Sequence, residues 1–158
     1  MIFSKTGRYV IRALAYMAGQ PSGTPLDIQK IAKGVHAPVA YLAKVFQGLT
    51  RGGLVTSQRG QGGGYLLSKD PAEINLLHVM DATDDAKNSV LSNCVMGMEE
   101  CSNKNPCTLH DIWVASAKKM KNELEKTTLQ DVTGIMRKLR SERMGRRILS
   151  RRIRSVFK

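Results

Sequence analysis

The chain has 158 residues, enough for one domain with a core and appendages, and 25 Lys and Arg against 13 Asp and Glu give a formal net charge of +12. A balance this basic favours polyanionic partners, nucleic acid before membrane, and no run of about eighteen apolar residues exists to span a bilayer. Arg8 and Arg12 interrupt the apolar N-terminal stretch and argue against a signal peptide, so the expected compartment is a reducing cytoplasm, where an odd count of three cysteines speaks against a disulfide framework.

Ser4 is placed to cap a first helix whose apolar face is Tyr9, Val10, Ala13, Leu14 and Met17. The stretch "GQPSGTP" breaks it. A second helix is expected over 27–34, with Ile28, Ile31 and Ala32 inward. After a turn over 35–37, Pro38 suits the start of a third helix that runs to about Arg51. Tyr41, Leu42, Val45, Phe46 and Leu49 form its apolar side, and Ala40, Lys44, Gln47 and Arg51 its other side. Two short helices around a tight turn, the second polar and basic outside, fit a helix-turn-helix and two ordinary packed helices alike.

"GGLVTSQRGQGGGYLLS" then reads as strand, glycine turn, strand. It is a poor nucleotide loop, because Tyr65 and a strand follow where a phosphate cradle needs Lys-Ser/Thr or a helix. A hairpin directly after a helix-turn-helix is a wing, with Arg59 at its tip placed to enter a minor groove and Gln61 beside it. A short helix in "DPAEINLLHVMDATDD" follows, with Ile74, Leu77, Val79 and Met80 apolar and no role assigned to His78.

All three cysteines fall in "CVMGMEECSNKNPCTLHDIW", residues 94–113. A cluster, a structural zinc, a reactive thiol near Lys104 and inert cysteines all remain open on spacing alone; no C-x-x-C knuckle is present. Beyond the loop, Trp113, Ala117, Met120 and Leu124 form a narrow seam on a helix over 111–126, suited to dimerisation. Ten Arg and Lys with Glu142 alone fall from 137 to 158, so that stretch carries +9 of the net charge. We expect a flexible basic arm over 135–158 that clings to phosphates; an amphipathic helix is the other reading. No paired carboxylates, nucleophile–base pair or nucleotide loop points to an enzyme.

The motifs "SKTGRYVIRAL", "YLAKVFQGLTRGGLVTSQRGQGGGYLLSKDP" and "CTLHDIW" resemble the bacterial winged-helix regulators that include IscR, NsrR, RirA and CymR. The similarity spans residues 1–134, and the wing signature "RGQGGGYLL" is its most specific part. The resemblance implies a mainly α fold with a small β-hairpin: a winged helix-turn-helix DNA-binding domain plus a long dimerisation helix. It implies a homodimer on double-stranded operator DNA, with Tyr41, Lys44, Gln47, Arg51, Arg59 and Gln61 as DNA contacts. It further implies an iron–sulfur cluster in the loop over about 90–110, with Cys94, Cys101, Cys107 and His110 matching the ligand positions. A zinc- or thiol-based regulator of the same fold and a non-regulatory cluster carrier are the alternatives.

Three departures bear on that reading. Six residues separate Cys94 from Cys101, where IscR-type loops usually have five. Arg8 stands where NsrR-type proteins supply an acidic ligand to a 4Fe–4S site, which favours 2Fe–2S. Pro38, Ala40 and Ala43 replace polar residues of the IscR-type recognition helix, so the operator should differ.

Overall fold

The computed structural model describes residues 3–83, 93–98, 102–139 and 141. Cys101 and the tail from 142 onward lie outside the described residues. Seven elements follow in chain order: α1 Lys5–Ala18, α2 Ile28–Val35, α3 Val39–Arg51, β1 Val55–Gln58, β2 Gly64–Leu67, α4 Leu76–Asp81 and α5 His110–Lys126. A further helical stretch covers 129–139.

The first three helices start where the sequence supplies caps or fixed dihedrals. The Ser4 hydroxyl accepts from Gly7 N–H at 3.0 Å, and the Asp27 carboxylate accepts from Gln29 N–H. α2 ends at His36 in the left-handed region with φ 54°. Pro38 occupies the N-cap of α3 and gives it no side-chain hydrogen bond, so α3 enters its first turn without a polar cap.

The core forms where these helices turn their apolar stripes together. Val10, Ala13 and Leu14 of α1, Ile31 and Val35 of α2, and Leu42, Phe46 and Leu49 of α3 are buried with Leu54, Val55, Ile74, Val79 and Leu129. An 8-residue or 13-residue helix is marginal alone, so this burial sustains α2 and α3. Burying each Leu or Phe stabilises by about 1.5–3 kcal/mol.

β1 and β2 pair antiparallel, Val55 opposite Leu67 and Gln58 opposite Gly64. An additional bridge joins Leu26 to Tyr65, with Leu26 N–H donating to Tyr65 O at 3.0 Å and Tyr65 N–H to Leu26 O at 2.9 Å. The wing is thereby tied to the segment preceding α2, a pairing that local pattern did not reveal. Gly64 permits it: a Cβ there would stand 2.5 Å from the backbone oxygen of Leu26.

The stretch 129–139 returns to α1. Thr128 and Asp131 form a capping box: Thr128 Oγ1 and N–H both donate to Asp131 Oδ2, at 2.6 and 2.9 Å, and Asp131 N–H donates to Thr128 Oγ1 at 3.2 Å. Thr133 donates to Leu129 O at 2.7 Å, Leu129 is fully buried, and the Arg137 guanidinium donates to Gly19 O at 3.0 Å. The helix thus crosses the boundary expected at 134 and covers residues 135–139 of the expected tail.

Gly64→Ala should destabilise the fold by about 2 kcal/mol or more, because the clash is with backbone. Gly48, inside α3 with open space where a methyl group would stand, should tolerate alanine and gain roughly 0.5–1 kcal/mol. Urea unfolding of the two variants checks both signs.

The Thr128 side-chain and backbone hydrogen bonds hold the exposed Asp131 carboxyl below the usual carboxylate range. A lowered native value means that its stabilisation is present at neutral pH and fades as pH falls through about 4 and below. The amide-exchange protection of the first turn after Thr128, relative to the unstructured rate at each pH, should fall over that window, and Asp131→Ala should abolish that pH dependence.

Candidate nucleic-acid interface and cysteine loop

Burial of Leu42, Phe46 and Leu49 forces the opposite side of α3 outward. Ala40, Lys44, Gln47 and Arg51, spaced at helical intervals, are all exposed on it. Tyr41 differs. It is half-buried, its hydroxyl lies 2.7 Å from Thr6 Oγ1, and its ring meets Tyr9 edge-on at 5.8 Å between centroids.

The wing leaves the same head of the molecule. Gly60 and Gly62 adopt φ of 100° and 80°, and Gly63 N–H donates to Gly60 O at 3.0 Å, closing a tight tip that a side chain at 60 or 62 would strain. Arg59 and Gln61 are exposed there. Tyr65 anchors the hairpin by its edge contact with Phe46, 4.9 Å between centroids. Among the described residues one ion pair occurs, Lys126 with Glu123 at 3.6 Å on α5. The cations of α3 and the wing are therefore not neutralised by carboxylates of the described chain.

The cysteine loop is drawn back onto the start of α5. His110 opens that helix and is buried, and its N–H donates to Cys107 O at 3.0 Å, so Cys107 and His110 are joined by a single turn. His110 Nε2 lies 2.7 Å from Asn103 Oδ1. One turn further on, the Trp113 indole N–H donates to Asn93 O at 3.0 Å, which pins the residue preceding Cys94 against the same helix. Cys94 and Cys107 are both half-buried. Among the described residues no three His, Cys, Asp or Glu converge on one point, and Cys101 is not among them. By its chemistry, a donor set of thiolates and one imidazole suits iron or zinc rather than a hard cation.

Comparison with known proteins decides the family. A model of the Rrf2 family, described as iron-dependent transcriptional regulator, matches residues 3–134. The chain belongs to the Rrf2 family of DNA-binding transcriptional regulators. It is 32% identical over 132 residues to the HTH-type transcriptional regulator IscR of Yersinia pseudotuberculosis, covering 84% of this chain and 79% of that protein. Among solved structures, CymR, the global cysteine regulator of B. subtilis, superposes with a TM-score of 0.72 at 24% identity, covering 85% of this chain and 98% of that one. IscR of T. potens gives 0.67 at 22%, covering 86% and 88%. At such identities the structures establish the fold: mainly helical, with the two-stranded hairpin of a winged helix-turn-helix.

The Rrf2 family is one of transcriptional regulators, not of enzymes. No helix of the described residues is long and apolar enough to cross a membrane. Along the seam on α5, Leu124 is buried, and Trp113, Ala117 and Met120 are half-buried. Ile112, 69% exposed, and Val114 lie off that seam, and Ile135 and Leu139 are exposed on the following helix. Sequence reasoning missed Asn93 and Asn103 as organisers of the loop. Their only sequence signal was proximity to the cysteines.

Arg59→Ala should leave thermal unfolding unchanged, since Arg59 is exposed. We expect it to weaken specific DNA binding by about 1–3 kcal/mol. Fluorescence anisotropy on a duplex selected by the wild-type chain from a random pool measures the loss; equal affinity at moderate salt would remove the wing tip from the interface.

Proposed function

We propose that this Rrf2 regulator is a cytoplasmic homodimer, a repressor, whose affinity for its double-stranded operator depends on an iron–sulfur cluster in the loop over about 90–110. The observation that carries the reading is the hold of α5 on the described parts of the loop: Trp113 holds the chain beside Cys94, and a single turn joins Cys107 to His110, the first residue of the helix. Cys94, Cys101, Cys107 and His110 would hold the cluster. When bound it supplies iron whose ligation answers to oxidants, nitric oxide and cluster supply. Arg8 is an exposed cation on α1 that cannot ligate iron, which favours 2Fe–2S over 4Fe–4S.

The chain's own residues provide the reading surface and a route to it. α3 would lie in the major groove, with Lys44, Gln47 and Arg51 toward base edges and phosphates, and Arg59 with Gln61 at an adjacent minor groove. Two such heads need a two-fold partner, for which α5 is the candidate interface. At the other end of the loop, Ala82 closes α4 against the end of α3: a Cβ on Gly52 would stand 2.8 Å from Ala82 Cβ. The two elements leave no room for a methyl group between them, so a cluster bound in the loop beyond Ala82 would bias where α3 ends and the wing begins. The state with the tighter operator complex prevails by population shift.

Protein purified without oxygen should be coloured and contain iron and acid-labile sulfide, and Cys107→Ala should be colourless. Absorption spectra with iron and sulfide analysis test this. Colourless wild-type protein that holds stoichiometric zinc after attempted cluster reconstitution would overturn the cluster in favour of a structural metal.

A further inference from the structure

We infer that Thr6, Tyr9 and Arg12 of α1 are positioning residues for DNA recognition: they form a brace that sets the angle of the recognition helix, and Tyr41 acts through that brace rather than as a base reader.

The three side chains follow one another at three-residue steps and so lie along one strip of α1. The strip touches both helices of the reading head, on either side of the turn that joins them. At one end, Arg12 Nη2 donates to Val35 O at 2.9 Å. Val35 is the last residue of α2, and its carbonyl is among those that a helix leaves without an internal partner. The Arg12 guanidinium carbon also lies 5.9 Å from the centre of the Tyr9 ring. At the middle, Tyr9 meets the Tyr41 ring edge-on, 67° between planes. At the far end, the Tyr41 hydroxyl and Thr6 Oγ1 share a hydrogen bond of 2.7 Å.

Tyr41 stands in the first turn of α3, where the helix most needs an anchor. Pro38 gives that turn no side-chain cap, and the left-handed His36 precedes it. The buried Leu42 and Phe46 fix α3 against rotation about its own axis. The brace adds polar and ring contacts that tie both sides of the turn to one helix. Side chains that read base edges must be held to a fraction of an ångström, so freedom at this end degrades specific contacts first. Contacts to phosphate from mobile cations tolerate it.

A double-mutant cycle tests the assignment on the full chain, with two probes: a duplex selected by the wild-type chain from a random-sequence pool, and a random-sequence duplex of equal length. Tyr41→Phe and Thr6→Val should each lower affinity for the selected duplex roughly three- to tenfold, the range of one hydrogen bond. The double variant should be no weaker than either single one. Thr6→Ser should restore wild-type affinity, and affinity for random duplex should stay within about twofold throughout. Circular dichroism melts confirm that each variant is folded at the binding temperature. Additive losses, equal losses on random duplex, or unchanged affinity for the selected duplex would each overturn the brace. The first two would make Tyr41 and Thr6 independent contacts to the DNA backbone.

Discussion

The buried side of α3 is the constraint on which the reading head depends. Leu42, Phe46 and Leu49 lie in the core against the apolar stripes of α1 and α2, and no part of α3 can turn without exposing them. Because a helix has a fixed period, burying those three dictates that Ala40, Lys44, Gln47 and Arg51 face outward. Phe46 carries the constraint onward. Its edge contact with Tyr65 joins the hairpin to the same core, so helix and wing are presented as one unit.

Close backbone approaches join that unit to the rest of the chain. Gly34 lets α2 lie on Tyr16, Gly52 lets α4 end against α3, and Gly64 lets the hairpin pair with Leu26. Each is a place where one methyl group would push two elements apart. Packed elements without slack resist moving independently of one another.

Electrostatics works in the opposite manner, through what is left unpaired. The described cations of α3 and the wing meet no carboxylate among the described residues, and the net charge of +12 is concentrated from residue 137 onward. Such charges contribute little to the fold and much to attraction for phosphate, with the salt dependence that counterion release imposes. The apolar residues that hold the fold and the exposed basic residues are therefore largely separate sets, the first internal and the second at the surface.

Much was legible locally. Ser4 and Asp27 as helix caps, the apolar spacing of α1 to α3, and the glycine turn between two β-prone runs are short-range signals, set by hydrogen-bond geometry and helical period within a few residues. The winged helix-turn-helix followed from them, and the cysteines with His110 announced a candidate ligand set by composition. Tertiary structure alone decided what those elements do to one another. Tyr41 looked like a polar member of the reading face, yet Thr6, 35 residues away, holds its hydroxyl. The seam of Trp113, Ala117, Met120 and Leu124 has the spacing of a dimer interface, and within its own chain only Leu124 of the four is buried. The bridge from Leu26 to Tyr65 and the hold of Arg137 on Gly19, 118 residues apart, have no local signature. Periodicity states which side of an element is apolar. It does not state what covers that side, because any surface of the right shape and chemistry, near or distant in the chain, satisfies the same burial.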